Sequence, residues 1–207
     1  MHRVVDLKVL YFGTPVVLIG TRNADGTPNL APMSSAWWLG DQCMLGMNTG
    51  SQTTVNMLRE RECVLNLPTS DMVEAVDRLA LLTGARELTP HKIEKGYRYE
   101  PDKFGVAGLT PLAADLVAAP RVAECPIQLE CEVLSSELFG GRATAHTVRV
   151  LRSHVDDALV VPGTAHVDPD AWDPLIMKFC EFFGESSRLH PSRLAVAWEI
   201  PQPVLDH

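Results

Sequence analysis

Between Ile127 and Val150 the chain twice alternates apolar and polar residues, and that period of two restricts the segment to β-strand. Ile127, Leu129, Cys131 and Val133 alternate with Gln128, Glu130 and Glu132, which assigns the first set to a buried face and the second to water. Gly140-Gly141 turns the chain, and Thr144, His146, Val148 and Val150 then alternate with Ala145, Thr147 and Arg149. The first half repeats this signature in shorter pieces. Val16 to Thr21 is β-rich and bounded by Pro15, and Asn23-Ala24-Asp25-Gly26 supplies turn chemistry. A second strand is expected from Pro28 to about Ala36 and a third from Cys43 to Met47, with Gly40-Asp41 between them. Two hairpins in succession predict an antiparallel meander in a mainly β chain with short helices.

Helical signals are few. Thr49-Gly50-Ser51-Gln52-Thr53-Thr54 leads into Val55, Leu58 and a charged end, so Thr49 or Ser51 is expected to cap a short helix. Cys63 to Leu67 returns to strand, and Ser70 is expected to cap a helix carrying Met72, Val73, Val76 and Leu79. From about Thr83 to Val122 the pattern is irregular, a length that implies a functional loop. Asp168-Pro169-Asp170 reads as a helix start, and Trp172, Leu175, Ile176, Phe179, Phe182 and Phe183 follow helical spacing as core or interface. With no repeat or linker, residues 1–207 are expected to form one domain with a C-terminal helical extension from about 168.

Charge narrows the function. The 207 residues carry a net charge of -8 and no Lys/Arg cluster, which excludes a duplex-binding surface and argues against an anionic membrane. Backbone N–H groups can still hold a phosphate. The five cysteines form no C-x-x-C pair and the seven histidines no ligand-spaced cluster, so buried thiols, no metal and a reducing cytoplasm are expected. Neither G-x-G-x-x-G nor G-x-x-x-x-G-K-[ST] occurs, which removes Rossmann and P-loop domains, and without G-x-S-x-G a hydrolase elbow has no support. What remains is Asn48, the hydroxyl loop and the helix start after it. Unpaired N–H donors and the macrodipole suit that segment to a phosphate, with Ser51, Thr53 and Thr54 as hydroxyl donors and Gly50 allowing close approach. The alternative is that these hydroxyls only cap the helix. No lysine stands near, and Arg59 is more than a turn away.

Several segments in register resemble the flavin reductase-like, FMN-binding split-barrel family. They are Asn29 to Ala36, Asn48 to Asn56, Val64 to Pro68, Asp102-Lys103-Phe104, Gly108 to Pro111 and Ala123 to Cys131, the later run being most similar to the flavoredoxin-type branch. The resemblance implies an antiparallel, Greek-key-like split β-barrel that forms a homodimer with FMN near the interface. Met33, Ser34, Ser35 and Ala36 would line the isoalloxazine edge. Asn48, Thr49, Gly50, Ser51, Gln52, Thr53 and Thr54, with Asn56, would hold the ribityl chain and phosphate. Lys103 and Phe104, from their place in the long irregular segment, are candidates to close over the flavin, the alternative being a surface lysine beside a packing phenylalanine. The implied activity is an NAD(P)H-dependent flavin reductase passing hydride from nicotinamide to FMN, with a redox partner protein or a monooxygenase downstream. Family members often carry Gly-Asp-His in the hairpin after the long strand, where this chain has Gly141-Arg142-Ala143. His146 is a weak substitute candidate. That departure keeps two alternatives open: a non-enzymatic flavoredoxin-like carrier, and a barrel that has lost flavin and serves as a binding module.

Overall fold

The computed structural model describes residues 1–190 and 192–197. Its strands and helices run in the order β1 (Phe12–Pro15), β2 (Val17–Arg22), β3 (Pro28–Met33), β4 (Ala36–Leu39), β5 (Gln42–Asn48), α1 (Gln52–Glu60), β6 (Glu62–Leu67) and α2 (Val73–Leu79). There follow β7 (Leu82–Thr83), α3 (Pro90–Glu94), β8 (Arg98–Tyr99), α4 (Lys103–Ala107), β9 (Pro111–Leu112) and β10 (Arg121–Val122). The chain continues through β11 (Ile127–Phe139), β12 (Ala143–Val155), β13 (Ile176–Lys178), β14 (Glu181–Phe183) and α5 (Arg193–Ala197). Seven strands form one antiparallel sheet in the order β3-β2-β6-β11-β12-β5-β4. The fold is a mainly β split barrel with short helices. Among the described residues no helix is long and apolar enough to cross a membrane.

Strand β2 is buried on both faces, and this organises the molecule. Val17 and Ile19 enter a barrel core with Leu45, Met57, Leu65, Cys131 and Val148. Val16 and Leu18 point the other way, into a second core with Leu30, Val76, Leu79, Phe104 and Val122. Such a strand must read as a continuous apolar run, as Val16 to Ile19 does. The outer core belongs to the helices and short strands of residues 70–125, so the supposed loop is a covering layer built from α3, α4 and short strands β7 to β10.

Four expectations change. The strand foreseen from Pro28 to Ala36 is two: β3 ends at Met33, Ser34-Ser35 crosses over, and β4 starts the opposite edge of the sheet, so the hairpins are not neighbours in a meander. Gln128 and Glu130 are buried, because the covering layer sits over the face the alternation assigned to water. Ser70 opens a 3₁₀ turn over Ser70–Met72 and gives its hydroxyl to Asp173 instead of capping α2. The helix foreseen from about 168 is absent over Trp172 to Phe183, where β13 and β14 form a hairpin that pairs with β1. Phe179 and Cys180 turn it with positive φ at both positions, as a type I′ turn demands. Helix α5 follows, and residues 198–207 lie outside the described residues.

Candidate functional site

A groove of about 160 Å³ opens where the ends of β3 and β5 meet the start of α1. Its walls include Met33, Asn48, Ser51, Gln52, Thr53 and Lys103. Local chemistry sets the start of α1. Asn48 Oδ1 accepts from Gly50 N–H at 3.0 Å, and Ser51 is the N-cap, its Oγ accepting from Thr54 N–H at 3.1 Å. The N–H groups of Gln52 and Thr53 have no acceptor among the described residues, and α1 is nine residues long, so its positive dipole end faces the groove.

Two lysines complete the electrostatics. Lys103 opens α4 and is 4% exposed; its Nζ donates to Leu30 O at 3.0 Å. Lys92, on α3, also lines the groove, with Nζ 3.4 Å from Thr83 Oγ1. Neither forms an ion pair among the described residues. Burial, with the like charge of Lys92, pushes the Lys103 ammonium down to about 8. An ammonium with three donors and one protein acceptor, buried beside a second cation and free helix N–H groups, is matched by an anion. These residues fit a phosphorylated cofactor.

The foreseen site residues do not all reach the groove. Met33, Asn48, Ser51, Gln52, Thr53 and Lys103 come together on the groove. Thr54 and Asn56 are fully buried behind it: Thr54 Oγ1 donates to Asn48 O at 2.9 Å, and Asn56 donates to Thr21 Oγ1 at 3.1 Å and Asn23 Oδ1 at 2.9 Å. Thr49 shares a 3.1 Å hydroxyl contact with Thr144, and Gly50 completes the turn before the cap. Ser34 is buried in the β3–β4 crossover, Ser35 Oγ lies 3.2 Å from the Tyr11 hydroxyl, and Ala36 belongs to the barrel core. Phe104 packs in the outer core instead of over the groove, since helical spacing turns it away from Lys103. His146 lies inside the barrel, its Nδ1 2.7 Å from Ser136 Oγ and its Nε2 without a partner among the described residues; burial, with the charge of Arg61, pushes its pKa down and favours the neutral ring.

Lys92 and the wall from Leu79 to Gly84 were missed. Thr89-Pro90, an N-cap followed by proline at the first helical position, was the signal for α3. Asp115, Glu130 and His154 also converge, their ligand atoms within 4.8 Å of one another, although nothing in their spacing suggested it. Each already has protein partners, and the cluster fastens the covering layer. Burial pushes the Cys125 thiol up, and Cys43 up to about 12, which disfavours the reactive thiolate at both.

The model of the flavin reductase-like domain matches residues 9–175. Uncharacterized protein YdfE of Bacillus subtilis (strain 168) is 37% identical over 179 residues, 86% of each chain. The flavoredoxin of Desulfovibrio vulgaris (Miyazaki F) superposes with a TM-score of 0.78 at 20% identity, covering 95% of this chain and 100% of its own. Nitrilotriacetate monooxygenase component B from Bacillus cereus gives 0.71 at 18% identity, over 89% of each.

Proposed function

The chain belongs to the flavin reductase-like domain family, and from that premise we propose that it binds FMN in this groove and passes on electrons taken from NADH or NADPH. The observation that carries the reading is the pair of lysines, without a carboxylate partner among the described residues, beside the open N-terminus of α1. FMN held there would supply a two-electron centre able to accept hydride from a reduced nicotinamide. The chain's residues do the rest. Gln52 and Thr53 offer backbone N–H groups to the phosphate, and Ser51 fixes their direction by capping the helix. Lys103 and Lys92 add positive charge along the groove and stabilise negative charge there. The crossover Ser34-Ser35 is held by Gly46 N–H donating to Ser35 O at 2.8 Å, which steadies the wall beside Met33.

Stopped-flow mixing of the flavin-loaded protein with NADH and with NADPH tests the reading. Flavin absorbance bleaches with at least one of them; bleaching with neither removes the reductase. A second reading, a flavoredoxin-like carrier, is favoured by the turn between β11 and β12, where the exposed residues are Gly140, Gly141 and Arg142 and none of them is a histidine. Slow bleaching by nicotinamides with fast reduction by a redox protein would select it.

A further inference from the structure

Away from the groove, Asp115, Glu130 and His154 bring together two carboxylates and an imidazole, with ligand atoms within 4.8 Å of one another. Asp115 comes from the covering layer between β9 and β10, while Glu130 and His154 stand on the paired strands β11 and β12. His154 Nε2 lies 2.5 Å from Glu130 Oε1 and 4.0 Å from Asp115 Oδ2. Ligands drawn from three segments have no linear spacing to read, so the histidine and cysteine patterns that argued against a metal are silent here.

The charges around Glu130 do not balance. It is fully buried, and among the described residues no lysine or arginine pairs with it. Arg152, its cross-strand neighbour, turns instead to Asp115 Oδ2 at 2.7 Å. Buried carboxylates are paired with a cation or coordinate a metal, and a neutral imidazole is not a cation. The N–H groups of Asp115 and Leu116 hold the Glu130 carboxylate in place, as hydrogen bonds from outside a metal centre orient its ligands. Acceptor capacity is left over: Glu130 Oε2 accepts only from Leu116, and Asp115 Oδ1 from nothing among the described residues. A four-coordinate ion with bonds of about 2.1 Å sets its ligands about 3.4 Å apart, which these side chains reach by moving under ~1 Å. A cavity of about 230 Å³ opens beside His154 and gives room for water in the fourth position.

We propose that Asp115, Glu130 and His154 bind a divalent transition-metal ion, zinc being the best match to one nitrogen and two carboxylate ligands. His154 Nε2 binds it in place of its hydrogen, which Nδ1 then carries. Magnesium and calcium prefer all-oxygen shells of six or more ligands and suit this set poorly. The ion fastens the covering layer, which carries Lys92 and Lys103, to the long strands. The inference does not depend on flavin binding.

Protein stripped with a chelator and dialysed is titrated with zinc chloride by calorimetry, and its melting temperature is followed. Expected are about one zinc per chain and a rise of about 5–10 °C at a hundredfold excess over the dissociation constant, with magnesium giving none. Asp115→Asn and His154→Ala each weaken zinc about tenfold or more. The Asp115 side chain is 48% exposed, so its variant tests the site even if the His154 variant does not fold. Zinc held as tightly by the variants as by the wild type belongs to exposed histidines elsewhere and overturns the site, as does the absence of binding.

Discussion

Lys103 concentrates the chemistry of the groove in one side chain. Its ammonium titrates near 8 because it is buried and faces Lys92, and a bound anion favours the charged form. Ligand binding is therefore linked to a proton: below about 8 the lysine is already charged, and above it a proton must be taken up. The FMN phosphate loses its second proton near 6 and stays dianionic across this range. FMN affinity is expected to fall as pH rises through about 8, by up to tenfold per pH unit. Lys103→Gln should flatten that dependence and cost about 1.5–3 kcal/mol at pH 7, the range of hydrogen bonds to charged groups. Fluorescence titrations from pH 6.5 to 9.5 measure both, and an unchanged slope in the variant would detach Lys103 from the ligand. At this scale the sequence was only partly legible. Ser51, Thr53, Thr54 and Asn56 look equivalent as polar letters, yet helix geometry turns Thr54 and Asn56 inward to bond the backbone and β2, and leaves Ser51 and Thr53 on the groove.

Among the elements, the covering layer was the least legible, and Glu130 shows why. Period-two alternation places Glu130 on a face; whether water or protein meets that face depends on a segment more than ten residues away. Here Asp115 and Leu116 N–H groups donate to its oxygens at 3.0 and 2.6 Å, and His154 Nε2 lies 2.5 Å away. Burial alone would raise this carboxyl, but the bonds from Asp115, His154 and Leu116 outweigh it and hold the pKa at about 2. With a folded pKa below the unfolded one, the stabilisation is complete at neutral pH and is lost as pH falls toward about 2. Glu130→Gln should destabilise by about 1–3 kcal/mol at pH 7, by leaving amide donors short of an acceptor, and by much less near pH 3. Urea unfolding at the two pH values checks this; equal losses at both would show that the charge plays no part. The β13–β14 hairpin failed to show for another reason. Its turn residues are Phe179 and Cys180, and without glycine or asparagine a positive-φ turn leaves no trace in the sequence.

For the whole molecule, strand β4 poses the remaining physical problem. It is an edge strand, and Trp37 and Leu39, on its outer face, are 56% and 76% exposed. The register carries that face inward across the sheet: Trp37 lies opposite Met44, and Gly46 opposite Ala145 and Ala143 opposite Phe139 follow on β5, β12 and β11. Large apolar residues flanking small ones make a surface that a second copy can approach closely, and a bare apolar edge otherwise invites disordered association. A homodimer closed over this face follows as a proposal, with about 800 Å² covered on each chain if it is of ordinary size. Trp37→Glu with Leu39→Glu puts two charges into the contact and leaves the barrel core intact, because Trp38, not Trp37, packs against that core. Sedimentation velocity should show two chains per particle in the wild type and one in the double variant, with unchanged circular dichroism. Met33 and the Ser34-Ser35 crossover lead directly into β4, so FMN affinity measured on the monomeric variant also reports whether the groove needs the second copy. Unaltered dimers in the variant would place the interface elsewhere and leave the exposure of Trp37 without a partner.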